Sequence, residues 1–94
     1  MTDENRIDEL IADLQEGDMA VRRAATDELG ASGEAAIAPL IDVMFESDND
    51  VRWYAARALV RIGEPSVEPL LQAMHARKNQ NFRRYAMAAL AGIG

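Results

Sequence analysis

The chain has 94 residues, a mass of 10.3 kDa, a formal charge of −6 and no cysteine. The absence of cysteine excludes a disulfide framework, a thiolate metal site and a cysteine nucleophile, and no apolar run approaches the ~20 residues that a bilayer requires. Apolar residues make up 49% of the chain but aromatics only 5%, and seventeen residues are alanine, so the core comes from many small side chains on closely spaced backbones. The segment Met1 to Arg6 is acidic and lacks the basic and apolar regions of a signal peptide, which gives a cytoplasmic location as the expectation. The negative total argues at first sight against nucleic acid.

In chain order, the apolar spacing predicts six helices. The first, 3–16, places Ile7, Leu10, Ile11 and Leu14 on one stripe, while Asp3, Glu4, Asp8, Glu9 and Asp13 give it the polar exterior of a cap. Gly17-Asp18 turns the chain into a second helix, 19–31, through Val21, Ala25 and Leu29. The third, 35–46, carries Ile37, Leu40, Ile41 and Met44, with Pro39 in its first turn, where no intrahelical N–H is needed. Ser47 to Asp50 is a tight acidic turn. The fourth helix, 49–62, has Val51, Ala55, Ala58, Leu59 and Ile62 at i, i+4, i+7, i+8 and i+11, one stripe of an α-helix. Gly63 stops it, in the place where a left-handed residue is usual. The fifth, 65–77, repeats Val67, Pro69, Leu70, Leu71 and Met74, and the sixth, 80–92, repeats Phe82, Ala86 and Leu90.

These elements recur with a period of 30 residues and one insertion before Phe82. Ile7, Leu10 and Leu14 fall on Ile37, Leu40 and Met44, then on Val67, Leu70 and Met74. Val21-Arg22 falls on Val51-Arg52 and Phe82-Arg83, and Gly33 on Gly63 and Gly94. Apolar, charged, glycine and proline positions stay in phase together, so each unit is a helical hairpin and the chain is a repeat protein. The paired alanines (Ala24-Ala25, Ala55-Ala56, Ala88-Ala89) favour helix and let neighbouring helices approach.

The run from Val51 through Arg52, Ala55, Ala56, Ala58, Leu59 and Ile62 to Gly63, followed by Val67, Pro69 and Leu70, resembles the short HEAT-like repeat of phycobilisome-lyase type. The resemblance covers the whole chain. It implies an all-α, right-handed α-solenoid of three hairpins and six helices, with repeats near 3–33, 34–63 and 64–94 forming a single domain over 1–94. It also implies that the first helix of each hairpin lies on the convex side and the Val-Arg helix on the concave side. Gly30 and Ser32 stand where Val60 and Ile62 do, which predicts that the second helix ends a turn early. The family includes scaffolds, cofactor-lyase subunits and metal-dependent hydroxylases. The His-Glu iron ligands of the hydroxylases are not matched here, where His75 is followed by Ala76 and no second histidine exists. His75 is read as an exposed imidazole at a helix C-terminus. No catalytic set, cofactor motif or metal-ligand spacing is present, and the expectation is a protein that is not an enzyme.

Sorting the charges by helix divides the total. The Val-Arg helices hold Arg22, Arg23, Arg52, Arg57, Arg61, Arg83 and Arg84 against Asp27 and Glu28, about +5, which leaves −11 for the rest. Arg22, Arg52 and Arg83 recur in every unit and are read as structural, bonding turn carbonyls and the acids Asp18, Asp48 and Asp50. The varying positions that face away from the stripe include Arg23, Asp27, Trp53, Tyr54, Arg57, Arg61, Arg84 and Tyr85. Trp53, Arg57 and Arg61 form one i, i+4, i+8 ridge, and Trp, Tyr and Arg dominate interface hot spots. These eight residues are the expected partner-binding surface, for an acidic or amphipathic protein segment laid across the concave face. A purely structural alternative pairs Arg57 with Asp27 across the groove. The alternative functions are nucleic-acid binding through the same basic helices, opposed by the small span and the scarcity of lysine, and an accessory role in a lyase-type enzyme. At the C-terminus the pattern stops on the repeat's glycine, so an exposed apolar flank of Met74, Met87, Leu90 and Ile93 is expected. It would be covered by self-association, or by further repeats if the chain is part of a longer solenoid.

Overall fold

Each Val-Arg helix begins in the same way. Asp18, Asp48 and Asn79 stand in extended conformation ahead of Met19–Ser32 (α2), Asn49–Ile62 (α4) and Gln80–Ile93 (α6). Their side chains accept the backbone N–H of Val21, Val51 and Phe82 at 3.0, 3.1 and 2.9 Å, satisfying a donor that the first turn leaves orphaned. The aspartates of the two links are therefore helix caps rather than partners of the repeated arginines. The remaining helices are Asp3–Glu16 (α1), Ile37–Glu46 (α3) and Val67–Ala76 (α5). The computed structural model describes residues 3–94, with side chains from Asn5 onward, so the side chains of Asp3 and Glu4 lie outside the described residues.

Six helices in three antiparallel hairpins match the expected architecture, and no strand occurs among the described residues. The ends differ in detail. Short 3-10 turns, Gly33–Ala36 and Glu64–Ser66, precede α3 and α5, which start two residues later than the spacing predicts. Gly33 and Gly63 have φ of +75° and +87° with ψ of −145° and −140°. The expected left-handed residue is thus replaced by a second positive-φ conformation, one that only glycine enters without strain. Ser66 then donates its buried hydroxyl to the Leu59 carbonyl at 3.2 Å, a second bond to an oxygen that also accepts the Gly63 N–H at 3.0 Å, which ties the turn to the end of α4.

The second helix does not end early: α2 runs to Ser32, as far as its counterpart α4 does to Ile62. Gly30 has a packing role instead. A β-carbon there would run into the stem of Arg61, 2.7 Å from its Cγ and 2.8 Å from its Cβ. At the equivalent contact between α4 and α6 the roles exchange, and a β-carbon on Gly92 would lie 2.9 Å from Val60 Cγ2. Each stacking interface therefore sets one glycine against one large side chain, so the helices stay close without overpacking.

Helices α2, α4 and α6 pack side by side much more extensively than α1, α3 and α5 do. The closer layer is the one that the resemblance assigns to the concave side. Leu14, Leu29, Leu40, Met44, Leu59, Leu70 and Phe82 lie wholly buried between the layers, each contributing about 1.5–3 kcal/mol by removal of its side chain from water. Phe82 takes the place held by Val21 and Val51. Its ring stacks on Phe45 at 3.8 Å and 12°, and the Arg77 guanidinium covers Phe45 at 4.2 Å while reaching Asp42 at 3.6 Å. The whole measures 31 × 24 × 21 Å.

Candidate functional site

The concave layer shows one face to solvent, and the predicted strip lies on it with several changes. Asp50 falls within the first turn of α4. The three concave helices therefore carry seven arginines against Asp27, Glu28 and Asp50, a net of +4 rather than +5, leaving −10 elsewhere. The contrast in sign between the two layers survives.

Trp53 stands 49% exposed on α4, the middle helix of this face. It is held on two sides: the Tyr54 ring meets it edge-on at 5.0 Å and 87°, and the Arg57 guanidinium lies 4.8 Å from its centroid. A cation over an exposed indole is worth about 0.5–1 kcal/mol, enough to bias the orientation of both side chains. Arg57 therefore does not pair with Asp27. That partner is Arg61, one turn further on, at 3.5 Å between two exposed side chains. Tyr54 does not face solvent either. It is only 9% exposed, because its place on α4 points toward the flanking concave helices and not off the ridge. Tyr85, in the equivalent place on α6, is half-buried against the core, while Arg23 and Arg84 are exposed.

Two open grooves flank Trp53. One, of about 430 Å³, runs between α2 and α4 and is lined by Met19, Arg23, Thr26, Asp27, Trp53, Tyr54 and Arg57. The other, of about 400 Å³, lies across the helix starts and is lined by Met19, Arg22, Asn49, Asp50, Trp53, Tyr54 and Tyr85. Met19, absent from the predicted strip, belongs to both and is highly exposed. Its signal was in the sequence: Met19 is an apolar residue at a repeat position where the other units carry Asn49 and Gln80.

The repeated arginines divide into three cases. Arg52 is buried and donates from Nε to the Met44 carbonyl at 2.8 Å and from Nη1 to Asn49 Oδ1 at 2.9 Å. Arg22 donates from Nη2 to the Gln15 carbonyl at 3.0 Å, and its buried Nε has no partner among the described residues. Met19 replaces the Asn49 oxygen there, so nothing draws Arg22 into the Arg52 geometry. Arg83 is exposed and holds no carbonyl of α5 among the described residues. The expected tie to turn carbonyls is therefore replaced in two units by a bond to the last turn of α1 or α3, and the tie to Asp18, Asp48 and Asp50 is made in none among the described residues.

On the flank, Met87 is exposed, and Met74, Leu90 and Ile93 are half-buried. No helix is long and apolar enough to cross a membrane among the described residues, and no group of three or more potential ligands is placed to hold a metal among them. No curated protein matches the chain. A family model described as HEAT repeats matches residues 7–91, which spans α2 to α5 and most of α1 and α6. The match is to HEAT repeats as a class and does not distinguish the lyase type. Repeat period, paired layers and this match agree, and the chain belongs to the HEAT-repeat family.

Proposed function

We propose that the protein is a non-catalytic interaction scaffold whose concave face receives an acidic or amphipathic segment of another protein. The observation that carries this reading is Trp53, a half-exposed indole fixed by Tyr54 and Arg57 between two grooves. A pre-oriented aromatic anchor loses little conformational entropy on binding, which is why such residues dominate interface energetics. Arg23 and Arg84 on the flanking helices supply the positive charge that selects acidic partners. Nucleic acid fits less well. Arg57 and Arg61 are engaged by Trp53 and Asp27, and α1 and the turns add acids that repel phosphate. His75 lies exposed near the end of α5 and takes no part in the face.

The test uses Trp53 as its own reporter, since it is the only tryptophan. An 18-residue helical peptide with a leucine stripe and glutamates elsewhere should shift its fluorescence saturably. Arg57→Glu should abolish the response, and a labelled DNA duplex should show none at moderate salt. A flat titration with the peptide, or a response to the duplex that falls steeply with salt, overturns the reading.

A further inference from the structure

The three repeats allow each surface position to be compared with its counterparts. Ile41 on α3 and Ala56 on α4 are each 7% exposed, because α5 and α6 lie against that side of the second hairpin. Their equivalents in the third hairpin, Leu71 and Met87, are 46% and 52% exposed. Met74 and Leu90 are half-buried where Met44 and Leu59 are wholly buried. The side of α5–α6 that faces away from the second repeat thus keeps the apolar character of a stacking face, and no helix among the described residues lies on it.

Charge decides what would cover it. From Pro69 to Gly94 there are four basic residues, Arg77, Lys78, Arg83 and Arg84, and no acid, while the remaining 68 residues sum to −10. A cavity of about 580 Å³ opens where α5 meets α6, with Leu71 and Met74 on its apolar side and His75, Lys78 and Arg83 on its rim. A second copy does not fit this surface. Stacked head to tail, it would present α1–α2, where Arg6 and Glu28 occupy positions that are Ala36 and Ala58, both wholly buried, in the next unit. Those two side chains form a two-pronged bridge, Nε and Nη2 to the carboxylate at 2.8 and 2.7 Å, and burying it on an apolar face costs more than it returns. Tail to tail, two copies would set two segments of like charge against each other, each with four basic residues and no acid from Pro69 to Gly94.

We propose that the α5–α6 face is a second docking surface, distinct from the concave strip, for an acidic amphipathic helix of another polypeptide. Apolar residues of that helix at i, i+3, i+4 and i+7 would cover Leu71, Met74, Met87 and Leu90. Carboxylates along its edge would reach Lys78 and Arg83, the latter free because it makes no bond to α5 of the kind that holds Arg52.

Methionine methyl NMR separates this surface from the concave one. Met74 and Met87 report the α5–α6 face, Met19 the concave grooves and Met44 the core. The leucine–glutamate peptide should shift the Met74 and Met87 methyl signals saturably and leave Met44 unmoved, and Trp53→Ala should not change that response. A twin peptide with lysine for every glutamate should leave both signals in place. Arg83→Glu and Met87→Lys, both at exposed positions, should each weaken the Met74 response about tenfold while Met19 still responds. Three results overturn the proposal: no shift at Met74 and Met87 with the glutamate peptide, equal shifts with the lysine twin, or shifts that follow protein concentration alone and so report a second copy. If Met19 and Trp53 fail to respond while Met74 and Met87 do, the concave reading falls and this one stands.

Discussion

The second and third hairpins carry almost the same signature and use it differently. Met44 and Arg52 are buried, and the arginine spans from α4 to the carbonyl at the end of α3. Met74 is half-exposed and Arg83 points to solvent. Two causes separate them. The second hairpin is covered on both sides, and its link is Ser47-Asp48, whereas Arg77-Lys78-Asn79 gives the third hairpin one residue more between its helices. A repeated residue in a solenoid is thus locked by its neighbours and by the length of the turn beside it, not by its identity alone.

The largest test of that contrast is the methionine pair. Met44→Ala should cost about 2–5 kcal/mol, since the cavity it leaves lies between packed layers. Met74→Ala should cost about 1 kcal/mol or less, because its side chain already borders solvent. Urea unfolding of the two variants measures both, and equal losses would mean that the third hairpin is as well covered as the second.

The arginine pair comes next. Removing Arg52 with Arg52→Ala strips a charge-assisted donor from the Met44 carbonyl and should cost about 1.5–3 kcal/mol. Arg83→Ala should stay within about 0.5 kcal/mol of the parent. Thermal melts decide it: a similar cost at both positions would show that Arg83 closes onto α5 in solution.

The glycine exchange between the two stacking interfaces gives a subtler test. Gly30→Ala gains about 1 kcal/mol of helix propensity but overpacks the Arg61 stem, which costs about 1–3 kcal/mol. The variant should be less stable than the parent. In an Arg61→Ala background the obstruction is gone, and the same change should become stabilising. Failure of the sign to reverse would place the cause of any loss elsewhere than in Arg61.

Fold and site were legible in the sequence to different depths. Helix number, hairpin pairing and the two layers follow from a 30-residue period, because each apolar stripe must be buried against its neighbours in phase. Trp53 and Arg57 could be placed on one ridge by i, i+4 spacing alone. The tilt that buries Tyr54 could not, since adjacent residues on a helix differ by 100° and only the neighbouring helices decide which one is covered. The choice of Arg61 over Arg57 for Asp27 depends on an inter-repeat offset of one turn, and on the preference of Arg57 for the indole. Gly30 read as a weak helix end because its partner, Arg61, lies 31 residues away in the sequence and touches it only in the folded stack.

The smallest expected effect concerns the end of the stack opposite α5–α6. Arg6 donates to Glu28 from two nitrogens and to Glu9 at 3.1 Å, in full view of solvent. The hydrogen bonds from Arg6, and then its charge, hold the Glu28 carboxyl below its ordinary value of 4.5. A carboxylate whose folded value is depressed adds stability that is complete above the unfolded value and disappears as the pH falls through the folded one. The bridge should therefore support the fold near neutral pH and fade only in acid below 4.5. A carboxyl-carbon NMR titration should find Glu28 titrating below its ordinary value of 4.5, and Arg6→Ala should raise it. If Glu28 titrates at that ordinary value in the parent protein, the two-pronged bridge does not persist in solution. Arg6 and Glu28 would still set two charges where the next unit buries Ala36 and Ala58, so a head-to-tail contact between copies would cost no less with the bridge open than with it closed.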